Sequence, residues 1–91
     1  MTRKSLEDAV KCLLDAQQGF SPKNVNIDTR VYSAWQIDSL DAVELVMAIE
    51  DEFDLEILDS EFEGFDTDTT FGQLVQFVEQ KIASVTKAGT P

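Results

Sequence analysis

Residues 39–53 carry apolar side chains at two phases of one helical period, and no other feature constrains the chain as much. At about 100° per residue, Ala42, Leu45, Val46, Ile49 and Phe53 cluster within roughly 100° of one another, the width of a stripe that faces a core. Leu40, Val43 and Met47 fall on the opposite side, with Glu44, Glu50, Asp51 and Asp54 interleaved among them. Asp38 is placed to cap this helix, and Asp41 three residues later completes a capping-box pattern. Ser39 therefore stands at the mouth of the helix. The first apolar face builds a core. The second reads as a surface for partners, set against the plainer reading of three isolated apolar residues on an exterior.

The flanking segments supply the rest of a bundle. Residues 5–18 form a first helix, with Leu6, Val10, Leu13 and Gln17 on one stripe and Ala9 and Leu14 beside it. Ser5 serves as its cap, Glu7 and Asp8 suit its positive end, and Gly19 with Pro22 stops it. Residues 19–37 are a long connection, and its length implies anchoring by Val25, Ile27, Val31, Tyr32, Trp35 and Ile37. A short helical turn fits residues 30–35; strands there lack a visible partner. Residues 60–65 suggest one more turn, turning Phe62 and Phe65 inward. Thr69 or Thr70 caps a last helix to about residue 84, with Phe71, Leu74, Val75, Val78 and Ile82 as its apolar stripe. The expected fold is all-α: a small bundle of three main helices plus one short helix, with a long loop between the first two. Residues 1–91 form one domain, packed over 4–85, with a frayed tail at 86–91.

Charge is distributed unevenly. The net charge is -11, and no Lys or Arg occurs between Arg30 and Lys81, an interval holding fourteen of the eighteen acidic residues. Such a surface repels nucleic acid and anionic membranes and steers basic proteins toward itself. Cys12 is the only cysteine and histidine is absent. That excludes a disulfide framework and a thiolate metal cluster, and it removes the commonest general base. The N-terminal residues carry no apolar signal segment and no stretch has membrane-spanning length, so a cytoplasmic or organelle-matrix monomer is expected, with no nucleic acid and no membrane insertion.

Asp38-Ser39-Leu40-Asp41, followed by Val43-Glu44-Leu45-Val46-Met47-Ala48-Ile49-Glu50 and Glu52-Phe53, strongly resembles the acyl carrier proteins. The resemblance extends over nearly the whole chain, through the long first loop, the Ile57 region and the Thr-Thr-Phe start of the last helix. It implies that Ser39 carries 4′-phosphopantetheine, added by a phosphopantetheinyl transferase from coenzyme A, with Asp38 as the helix cap beside it. Acyl groups would ride as thioesters on the arm, presented to acyl-transfer, condensing and modifying enzymes of fatty-acid, polyketide or related synthesis. Basic patches on those enzymes would meet Leu40, Asp41, Val43, Glu44, Met47, Glu50 and Asp51. The acyl class fits better than the peptidyl class, which tends to place glycines and often His before the serine. Three departures point to a specialised member. Trp35-Gln36 stands where the family usually has Leu-Gly, implying a reshaped turn before the serine, and Leu58 stands where it has Pro; residues 66–70 are slightly extended.

The chain is thus expected to be a carrier and not an enzyme. The alternative is an acyl-carrier-like scaffold or an acidic interaction subunit without cargo, including a nucleic-acid mimic. Cys12 reads as packing or surface filler. Asp66-Thr67-Asp68 resembles the opening of a calcium loop but lacks its glycine and distal glutamate, so no specific metal site is expected.

Overall fold

The computed structural model describes residues 2–88, with side chains through residue 84. Five helices follow one another: α1 Arg3–Gln18, α2 Val31–Ala34, α3 Ser39–Phe53, α4 Asp59–Phe62 and α5 Phe71–Ala88. Three are long and two are single turns, and the described residues contain no strand. The all-α bundle expected from the periodicities is the observed architecture. α5 runs four residues past residue 84, and residues 89–91 of the expected tail lie outside the described residues.

α1 begins earlier than its polar pattern indicated. Thr2, not Ser5, is the cap: its Oγ1 accepts from the Ser5 amide at 3.1 Å. Arg3 is then a cation in the first turn, where the helix dipole disfavours it. Its guanidinium is offset by Glu7 at 3.6 Å and Glu79 at 3.0 Å. Gly19 ends the helix in the left-handed region at φ 79°, its N–H donating to the Asp15 carbonyl. The buried stripe is Leu6, Val10 and Leu14; Leu13 and Gln17 are half-buried, because α1 must face both α3 and α5.

The core closes when Ala42, Leu45 and Ile49 of α3 meet that stripe and Phe71, Leu74, Val75 and Val78 of α5. Each fully buried aliphatic side chain there contributes about 1.5–3 kcal/mol relative to exposure. Val46 and Phe53 are half-buried at the margins of the α3 stripe.

Residues 19–37 are anchored by two devices. Val31, Trp35 and Ile37 are buried, with Val25 and Tyr32 packed against them. Trp35 has no exposed surface and stacks on Phe71 with ring centroids 6.0 Å apart. The second device is main-chain pairing, which the apolar pattern could not announce. Val31 N–H donates to the Thr69 carbonyl at 3.0 Å and Phe71 N–H to the Thr29 carbonyl at 2.7 Å, a lone antiparallel bridge. Gly72 N–H also donates to the Ile27 carbonyl at 2.9 Å; a Cβ on Gly72 would lie 3.0 Å from that oxygen, so glycine permits the approach. Ile27 therefore holds the loop by its backbone, while its side chain is exposed instead of buried.

α4 is tied down at its base. Glu61 accepts from the Leu58 amide at 3.0 Å and from Lys81 of α5 at 2.9 Å. Phe62 stacks on Phe65 at 4.7 Å, and Phe65 meets Phe77 edge-on at 5.1 Å, so both phenylalanines point inward as expected. Thr70 caps α5: its Oγ1 accepts from Gln73 N–H, and Gln73 Oε1 accepts from Thr70 N–H.

Candidate functional site

Ser39 is the first residue of α3 and is exposed. Asp38 precedes it in extended backbone and caps the helix: Asp38 Oδ1 accepts from Asp41 N–H at 2.8 Å, while Asp41 Oδ2 accepts from Asp38 N–H at 3.2 Å. The capping box read from the spacing is therefore formed. The two carboxylates turn toward backbone donors, and the first-turn amides of Ser39 and Leu40 are left free by the intrahelical pattern. Free amides at the positive end of a fifteen-residue helix suit an anionic phosphodiester on the adjacent hydroxyl.

The turn before the serine is held in an unusual way. Gln36 has φ 55°, in the left-handed region that favours glycine. Where the family usually has Gly, this chain therefore places a side chain in left-handed backbone, of the kind that glycine adopts most readily. Ile37 N–H donates back to the Tyr32 carbonyl at 2.9 Å, bringing α3 round against α2.

Beyond Ser39, the outward face of α3 is strongly apolar at its centre. Leu40 is 75% exposed, Val43 58% and Met47 61%. Glu44 and Asp51 are exposed beside them. Leu58, which stands where the family usually has Pro, is 56% exposed and shares with Val43 and Met47 a groove of about 250 Å³ between α3 and α4. Val46, Ile57 and Phe62 line the floor side of that groove.

Two of the acids assigned to this face are occupied inside the protein. Asp41 is half-buried in the capping box. Glu50 is half-buried, and its Oε2 accepts from Ile57 N–H at 2.8 Å, fixing the segment after α3. At the C-terminal end of α3, Asp54 adopts φ 54° and donates its N–H to the Glu50 carbonyl, a left-handed cap.

The sequence pattern did not single out Asp15 and Gln18, which reach this region from α1. Trp35 Nε1–H donates to Asp15 Oδ1 at 2.9 Å, and Lys11 donates to Asp15 Oδ2 at 2.9 Å. Burial raises the Asp15 carboxyl, but hydrogen bonds from Lys11, Trp35 and Ser21 and the charge of Lys11 together hold its pKa below the ordinary value. Gln17 Nε2–H donates to the Asp41 carbonyl at 2.7 Å. Polar residues at the end of a helix gave no apolar period by which to find them.

A family model described as "Phosphopantetheine attachment site" matches residues 8–78. The chain belongs to the acyl carrier protein family. An acyl carrier protein of Sulfurovum sp. (strain NBC37-1) is 40% identical over 75 residues, 82% of this chain and 96% of that one. An acyl carrier protein of Chlamydia trachomatis serovar D is 34% identical over 77 residues, 85% of this chain and 96% of that one. Members of the family are carriers and not catalysts, and 4′-phosphopantetheine is the cofactor of this domain. Among the described residues no helix is long and apolar enough to cross a membrane, and no group of three His, Cys, Asp or Glu is placed to hold a metal ion. Asp66 Oδ1 accepts from Asp68 N–H at 2.8 Å, a turn closed on itself.

Proposed function

We propose that Ser39 Oγ is the attachment atom for 4′-phosphopantetheine and that the chain presents acyl groups to biosynthetic enzymes of fatty-acid, polyketide or related synthesis. The observation that carries this reading is the position of Ser39: an exposed hydroxyl at the first residue of α3, with free first-turn amides beside it and a bare apolar face beginning at the next residue. Ser39 has no histidine anywhere in the chain to activate it, and the two nearest carboxylates are engaged in capping. The hydroxyl therefore waits for a base supplied by the transferase, as an acceptor and not a nucleophile in its own right. When attached, the arm supplies a terminal thiol that holds acyl groups as thioesters.

Partners with basic docking patches meet Leu40, Val43 and Met47 in shallow apolar contacts, while Glu44 and Asp51 accelerate their approach. Asp41 and Glu50 contribute charge to that field but keep their internal hydrogen bonds. Contacts of this kind favour fast exchange among many partners over tight binding.

Intact-mass measurement after co-expression with a promiscuous phosphopantetheinyl transferase tests the assignment. The expected result is a gain of one phosphopantetheine, absent in Ser39→Ala. No gain in the unaltered protein, or a gain that persists in Ser39→Ala, overturns it in favour of a scaffold without cargo.

A further inference from the structure

The last turn of α1 grips the segment on both sides of Ser39. Gln18 is half-buried, and its side-chain Nε2 lies 3.0 Å from the Trp35 carbonyl, 3.4 Å from the Gln36 carbonyl and 3.3 Å from Asp41 Oδ2. All three neighbours are oxygen acceptors, so the amide can only present its NH2 group to them. With two hydrogens for three oxygens, the Trp35 carbonyl is the best-placed partner and the other two share the remainder.

These acceptors have one thing in common. Trp35 and Gln36 form the turn that enters α3, and Asp41 is the half of the capping box that lies beyond Ser39. One side chain therefore spans the attachment serine from the rear. Gln36 sits inside the span at φ 55°, a conformation that a non-glycine side chain holds only when its surroundings impose it. Asp15 adds a second hold on the same turn through the Trp35 indole, and Gln17 a third on the Asp41 carbonyl.

We propose that Gln18 is a positioning residue for Ser39: its amide bridges the Trp35–Gln36 turn to the Asp41 capping carboxylate and thereby holds the serine in the geometry that the transferase accepts. This rests on Ser39 as the attachment atom. The hydrogen bonds of Gln18 go to Trp35, Gln36 and the Asp41 carboxylate that is already engaged in capping, and not to Leu40, Val43 and Met47, the exposed apolar groups proposed to meet the transferase. Its loss therefore acts on turnover and not on docking.

The test compares Gln18→Met, which preserves length and packing but removes the donor, with the same change combined with Gln36→Gly. Glycine adopts the left-handed turn without a clamp. In the unmodified protein, amide hydrogen exchange at Ile37 and Asp41 is expected to accelerate in Gln18→Met by roughly 3- to 10-fold, the scale of one well-placed hydrogen bond and one long, shared one lost from a conformational equilibrium. In transferase assays kcat for modification falls by a similar factor while KM for the carrier is unchanged. The added Gln36→Gly restores kcat.

Unchanged exchange at Ile37 and Asp41, or acceleration spread equally over α1 and α5, overturns the inference. So does a rise in KM with kcat unaltered. If the unaltered protein accepts no phosphopantetheine, the attachment reading fails, and the exchange measurement still decides whether Gln18 holds the turn.

Discussion

Trp35 Nε1–H donates to Asp15 Oδ1 at 2.9 Å, which ties the most buried aromatic side chain of the connection to the last turn of α1. The indole thus does two jobs with one ring. Its face fills the core against Phe71 and its single donor finds a charged acceptor at the core's edge, as a buried Trp requires.

Trp35→Phe keeps most of the volume and discards the donor. The expected loss is about 1–2 kcal/mol, from a charge-assisted hydrogen bond plus a small void. Urea unfolding should show a lower midpoint at unchanged slope. An unchanged midpoint would mean that the Asp15 contact contributes nothing.

Acid should weaken the fold through two depressed carboxyls. At Glu61, the Leu58 amide and then the Lys81 ammonium hold the pKa below its ordinary 4.5; at Asp15, burial pushes up but the hydrogen bonds and Lys11 charge prevail, leaving it below 3.8. For both groups the unfolded chain binds protons more readily than the folded one. Their stabilisation is complete above the unfolded values and is lost as pH falls through the folded ones. Thermal melts should therefore decline in the window below about pH 4.5, and Glu61→Gln should flatten part of that decline. A decline identical in Glu61→Gln would remove Glu61 from the explanation.

Gln36→Gly should stabilise the protein. An exposed side chain in left-handed backbone costs on the order of 1 kcal/mol, partly offset by the greater freedom of glycine when unfolded, so a net gain of roughly 0.5 kcal/mol is expected. A drop in the denaturation midpoint would show that the Gln36 side chain makes a compensating contact.

The two faces of α3 should respond differently to truncation. Ile49 is fully buried, so Ile49→Ala should cost about 2–5 kcal/mol through a core cavity. Met47 is 61% exposed, so Met47→Ala should stay within about 0.5 kcal/mol. Equal effects in chemical denaturation would contradict the phase of the helix.

Charge reversal at Glu44 and Asp51 addresses the outer face directly. The double change to Lys should slow modification by the transferase, most visibly at low salt, while far-ultraviolet circular dichroism stays unchanged. Unaltered kinetics would remove these acids from docking.

Much of this architecture was legible because periodicity is a local property. The bounds of α3, its Asp38–Asp41 box and the inward set Ala42, Leu45 and Ile49 follow from residues within one or two turns of each other, and so does the exposure of Leu40, Val43 and Met47. Local pattern does not fix the start of α1, because Ser5 and Thr2 are both capable caps. The Arg3 contacts with Glu7, one turn on, and with Glu79, far along the chain, make the earlier start tolerable.

The sequence by itself determined that the chain is an all-helical acidic carrier with a serine at the mouth of a two-faced helix. That information lies in short-range spacing, charge and motif. Tertiary structure alone decided that Gln36 takes a left-handed turn, that Gln18 bridges that turn to Asp41, and that Glu50 turns inward to the Ile57 amide. These arrangements pair polar groups from segments distant in the chain, or choose among hydrogen-bond partners that spacing cannot distinguish, and polar pairing has no period to betray it. Ser39 is set by local motif; the contacts on either side of it come from α1, a segment distant in the chain.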